Sequence, residues 1–113
     1  MKVRDYLAIP YILEAQAVER NGIWTRRLRY PELGEFEAEH EDVEQALLEI
    51  ERLRIGTILD TLREGRKPPV PRPPLETTDQ AWWARYLGLG DIVDSVLDRP
   101  AADLEGMEKL GRH

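Results

Sequence analysis

The chain has no cysteine. This excludes a disulfide framework, a thiol nucleophile and a thiolate zinc site. It also lacks any apolar run near the roughly 18 residues needed to span a bilayer. The opening MKVRDYLAIP has neither a continuous apolar stretch nor a small-residue cleavage site, so no secretory leader is expected. The expectation is a soluble, cytoplasmic protein without a membrane partner. A third absence is local: from Tyr30 to Glu51 there is no Lys or Arg. That span holds Glu32, Glu35, Glu37, Glu39, Glu41, Asp42, Glu44, Glu49 and Glu51, preceded by Arg26, Arg27 and Arg29.

With 113 residues, 42% of them apolar and 34% charged, the chain is long enough for one core but not for two full ones. Its net charge of -6 is concentrated in the acidic span. Such a field repels phosphates and steers basic partners inward.

Alternation and turn chemistry organise the first half. Residues 6–19, YLAIPYILEAQAVE, read as a first strand, with Pro10 placing it at an edge or a bulge. Asn21-Gly22 then signals a two-residue hairpin, because both central positions of a type I′ turn need positive φ. In the second strand, IWTRRLRY, Trp24, Leu28 and Tyr30 share the inner face, and Arg26 must snorkel from it. Pro31 and Gly34 make a bend, Gly34 being free to adopt a conformation other residues avoid. In EFEAEHE, Phe36, Ala38 and His40 alternate inward while Glu35, Glu37, Glu39 and Glu41 line the wet face.

Asp42 is positioned to cap a helix over 43–64, ended by Gly65. Wound at 100° per residue, this helix carries two apolar groups. Val43, Ala46, Leu47, Ile50 and Leu53 form one. Leu48, Ile55, Leu59 and Leu62 form the other, with Ile58 between. A three-stranded sheet covers only one such stripe, so the second needs another cover. A proline-rich connector, RKPPVPRPPLETT, follows and offers a short fourth strand around Val70. Three short helices are expected beyond it, over 79–87, from Asp91 to before Pro100, and over 101–110.

Trp82, Trp83 and Tyr86 have two readings. They complete the core over Leu48, Ile55, Leu59 and Leu62, or they anchor an arm on another copy of the chain. A helix-turn-helix reading of residues 81–99 puts Asp91, Asp94 and Asp98 against phosphates, so DNA is not the expected ligand there. A two-metal nuclease needs carboxylates converging from separate elements. The strand glutamates are expected to diverge, with His40 on the opposite face and His113 terminal, so no catalytic residue, metal ligand or cofactor is assigned.

The order of NGIW, the bend YPELG, DVEQALLEI at the helix start and the exit EGRKPPVPRPP resembles the HicB antitoxin family over about residues 6–75. The resemblance implies an α+β domain of reduced ribonuclease-H-like fold: a three- to four-stranded, mainly antiparallel sheet packed by one long helix, here with a helical extension over 76–113. It also implies a non-catalytic protein that sequesters a small basic RNA-cleaving toxin. The acidic row Glu35, Glu37, Glu39 and Glu41 is then the surface for that partner, in a homodimer or larger assembly. Two features depart from the family pattern. Leu33 runs straight into Gly34 where a second proline is common, and the C-terminal segment lacks a ribbon-helix-helix or helix-turn-helix look. The alternatives are a solitary homo-oligomer of the same fold and a metal-dependent nuclease.

Overall fold

In the computed structural model, which describes residues 1–107, the hairpin forms where the turn residues place it. Asn21 and Gly22 have φ of 54° and 82°, the pair of positive angles that a type I′ turn requires. They join β1 (Glu14–Arg20) to β2 (Ile23–Arg29), with Arg20 opposite Ile23. β3 (Glu37–His40) pairs antiparallel with β2, giving the order β1-β2-β3. The fold is α+β, with one antiparallel three-stranded sheet and four α-helices among the described residues.

After α1 (Val3–Leu7), the dominant helix is α2, Val43–Arg63. It starts as expected, with the Asp42 carboxylate accepting from the Glu44 amide at 2.9 Å. It ends in a Schellman arrangement: Arg66 N–H donates to the Thr61 carbonyl and Gly65 N–H to that of Leu62, Gly65 having φ of 76°. Ala46 and Ile50 meet Leu28 and Ala38 in the buried layer beneath the sheet. Ile55, Leu59 and Leu62 of the second stripe, and Ile58 between the two, are buried too, with Leu48 half-buried.

The cover of that second stripe comes from the same chain. α3 (Gln80–Tyr86), α4 (Gly90–Asp94), a 3-10 turn (Ala101–Leu104) and the turns between them contribute Ala84, Leu87, Val93, Val96, Leu97 and Leu104 to one continuous core. Removing one of these large aliphatic groups from water is worth about 1.5–3 kcal/mol. Asp79 caps α3 by accepting from the Trp82 amide at 3.0 Å. The remainder of the expected third C-terminal helix, residues 108–110, and the terminal His113 lie outside the described residues.

Several expectations are corrected. The first strand does not begin at Tyr6. Val3–Leu7 is helical and residues 8–13 are irregular. Tyr6, Leu7, Ala8 and Ile9 are all buried, a continuous apolar run wedged into the core rather than an alternating face. Long-range bonds hold α1 in place, Val3 N–H to the Arg99 carbonyl at 3.0 Å and Arg4 N–H to that of Leu97 at 2.9 Å. No fourth strand forms at Val70, which is exposed. The connector instead laces against residues 8–11: Leu75 N–H donates to the Ala8 carbonyl at 2.9 Å, and the Tyr11 hydroxyl to that of Pro69 at 2.6 Å.

Gly34 is not in the left-handed region. A Cβ there would stand 3.2 Å from the Phe36 ring, so close approach explains the glycine. Val43 and Leu47, assigned to the inner stripe, remain largely exposed at the first turns of α2. Among the described residues no helix is long and apolar enough to cross a membrane.

Candidate protein-binding surface

Alternation along the strands divides the sheet into two faces. Glu14, Gln16, Val18 and Arg20 of β1 share the outer face with Ile23, Thr25, Arg27 and Arg29 of β2 and with Glu37 and Glu39 of β3. The expected third strand over 35–41 contracts to four residues. Glu37 and Glu39 lie in the strand, Glu35 precedes it and Glu41 follows it. All except Glu39 are exposed.

The two strand glutamates do not simply point at water. Arg20 donates from Nη2 to Glu39 Oε1 at 2.9 Å, and the Thr25 hydroxyl donates to Glu39 Oε2 at 2.9 Å. The Arg20 guanidinium, helped by that hydroxyl, holds the Glu39 carboxyl down to about 2. Glu37 faces Arg27 at 3.8 Å, while Arg29 reaches across to Glu14 at 3.1 Å. The outer face is therefore laced with both signs of charge. Cross-strand pairs of this kind help fix register.

Glu35 and Glu37 border a cleft of about 420 Å³, lined also by Arg29, Pro31, Gly34 and Phe36. At the other end of β3, Glu41 and Glu44 stand with the capping Asp42 at the amino end of α2. The residual acidity thus collects at the two ends of the strand rather than along it.

His40, expected inward, is exposed. Its Nδ1 accepts from the Asp42 amide at 2.9 Å, which commits the ring to the strand-helix corner. Trp24 is on the inner face as expected, but 58% of it is exposed, because α2 packs over β2 and β3 near Leu28 and Ala38 and leaves the hairpin tip uncovered. Arg26 beside it is exposed as well.

The aromatic group of α3 divides in two. Trp83 is half-buried against the core and donates from Nε1 to Glu51 Oε1 at 2.9 Å. Trp82 and Tyr86 are largely exposed. The three rings are nearly parallel, with centroids 5.5–6.2 Å apart. Of the helix residues expected beneath them, Ile55, Leu59 and Leu62 are buried and Leu48 is half-buried.

Sequence reasoning missed a buried polar seam beside Trp83. Arg54, 6% exposed, donates to Glu51 at 2.9 Å and from Nη1 to the Leu7 carbonyl at 2.8 Å. The Tyr30 hydroxyl donates to the same Glu51 carboxylate. Burial, then that carboxylate, raises the Tyr30 pKa; burial also pushes Tyr11 up to about 12. The available signal was Glu51 and Arg54 at i, i+3, between the two apolar groups of α2.

Among the described residues no group of three or more His, Cys, Asp or Glu is placed to hold a metal ion. Two of the three aspartates of the helix-turn-helix reading are in ion pairs, Asp98 with Arg4 at 3.0 Å and Asp94 with Arg85 at 3.6 Å. No family model, curated protein or solved structure matches this chain.

Proposed function

We propose that this chain is a non-catalytic protein-binding domain built like the HicB antitoxins, taking a small basic partner such as an RNA-cleaving toxin at the ends of β3. The observation that carries this reading is the cleft bordered by Glu35 and Glu37, with Pro31 and Phe36 in its wall and Arg29 turned to Glu14 at its side. A Lys or Arg side chain has the matching form, an aliphatic stem for the apolar wall and a cationic head for the carboxylates. Glu41 and Glu44 at the amino end of α2 extend the same sign of charge. Glu39, occupied by Arg20 and Thr25, serves the sheet itself.

The test is an NMR titration of the full chain with an arginine-rich peptide at low salt. Shifts concentrated at residues 34–37 and 41–44, with those at 34–37 lost in Glu35→Lys, support the reading. An unperturbed cleft, or equal response in Glu35→Lys, argues against it.

A further inference from the structure

The outward edge of β1 is unpaired among the described residues, since β1 ends the sheet order. Its residues are exposed apart from half-buried Val18. Free strand edges template pairing with another chain, and natural proteins usually blunt them with prolines, bulges or inward charges. β1 reads EAQAVER, with no proline or glycine and a single inward charge, Glu19 at the hairpin end. We propose that this edge is the self-association surface of the protein, pairing antiparallel with β1 of a second copy about a two-fold axis at Ala17. This goes beyond the reading at the ends of β3 and does not depend on it.

Three observations select that occupant and that register. The first is the direction of the backbone groups. In a two-residue hairpin the closing pair, here Arg20 and Ile23, is hydrogen-bonded, and hydrogen-bonded pairs alternate outward from it. Val18, Gln16 and Glu14 therefore spend their amides and carbonyls on β2. Ala15, Ala17 and Glu19 direct theirs to the open edge. Centring the two-fold axis on Ala17 sets Ala17 against Ala17 and Ala15 against Glu19 of the second copy, so every outward group of the strand meets a complementary one.

The second is charge. In the same register Glu14 faces Arg20 of the second copy, and Arg20 faces its Glu14, at non-hydrogen-bonded positions where side chains approach most closely. Within the chain one row already runs Glu37, Arg29, Glu14 across the sheet. Arg20 of the second copy, which also holds Glu39 of its own chain, continues the alternation of sign. Sliding the axis to Glu19 would instead set that glutamate against itself. The third is size: Ala15 and Ala17 are small, exposed among the described residues and on the inner face. The pairing row there runs from exposed Trp24 through Glu19 to Ala15 of the second copy, and the small alanine leaves room for the longer side chains beside it.

The experiment is sedimentation equilibrium of the full chain over a range of concentrations, with circular dichroism to verify folding. Wild type should reach twice the 13.1 kDa of the chain. Ala17→Pro removes an amide that faces only the open edge, a position an edge strand tolerates, and should give a folded monomer. Glu14→Arg and Arg20→Glu should each be monomeric where wild type is dimeric, since each sets like charges in opposition at both ends. Mixed in equal amounts, these two variants should recover the doubled mass, because every facing pair is again of opposite sign. A wild type that stays monomeric, a folded Ala17→Pro that stays dimeric, or a mixture that stays monomeric would overturn the proposal.

Discussion

Two Arg–Glu constellations in this molecule use the same chemistry in opposite surroundings. On the outer face of the sheet, Arg20 and Thr25 hold Glu39 at a wet surface. Between the sheet and the C-terminal segment, Arg54, Tyr30 and Trp83 hold Glu51, half-buried itself, against the buried Arg54. The wet group is screened by water and salt, so it fixes local geometry more than it stabilises the fold. The inner group centres on Arg54, which is nearly fully buried, so loss of its carboxylate leaves a cation with little water to replace the partner. The interior seam therefore holds residues 80–87 to the helix, while the sheet face is left able to exchange partners.

The comparison breaks most visibly at Glu51. Glu51→Ala should destabilise the fold by about 3–5 kcal/mol in urea unfolding, because Arg54 would remain buried without its carboxylate. A loss comparable to that of an exposed glutamate would make the seam solvated rather than dry. Next in size is Trp83→Phe, which removes the indole bond to Glu51 and should cost about 1.5–3 kcal/mol by the same measurement. Trp82→Phe, one residue away and exposed, should stay within roughly 0.5 kcal/mol.

Acid titration sharpens the wet side. The Glu39 carboxyl is depressed in the fold, from 4.5 to about 2. Its contribution is therefore complete above about pH 4.5 and lost as pH falls through about 2. Thermal unfolding followed across that window should show a shallower decline in Glu39→Gln than in wild type. Part of the decline should persist, because Glu32 beside Arg72 and Asp98 beside Arg4 are also depressed. The smallest effect is expected from salt. Raising ionic strength to about 1 M, where the Debye length is near 3 Å, should leave the Glu51 seam intact by Trp83 fluorescence.

The legible parts of this fold were those written in local chemistry. Asn21-Gly22 specified the turn, Asp42 and Gly65 bounded the helix, and alternation assigned Ala38 and Leu28 to the inner face. What alternation does not carry is the extent of cover. It gave the face of Trp24 and His40, but not that α2 stops short of the hairpin tip. α1 was hidden for a different reason: a five-residue helix has little stability of its own, and this one is held by carbonyls some ninety residues away.

The candidate site was half legible. The residue types of the glutamate row were evident, yet Arg20 lies nineteen residues from Glu39 and meets it only through the hairpin register. The division into occupied Glu39 and open Glu35 therefore needed the strand pairing. The cis packing of Trp83 likewise depended on Glu51, whose charge marked it as a surface residue.

The most direct measurement is affinity purification of the tagged chain from its own host, with wild type and a Glu35→Lys/Glu41→Lys variant compared at low and high salt. These two residues make no ion pair among the described residues, so reversing them leaves the sheet's own contacts in place. A small, strongly basic protein retained by wild type, released by salt and not retained by the variant is the predicted result. Equal retention by both chains, or recovery of the wild-type chain alone, would contradict a basic partner at the ends of β3.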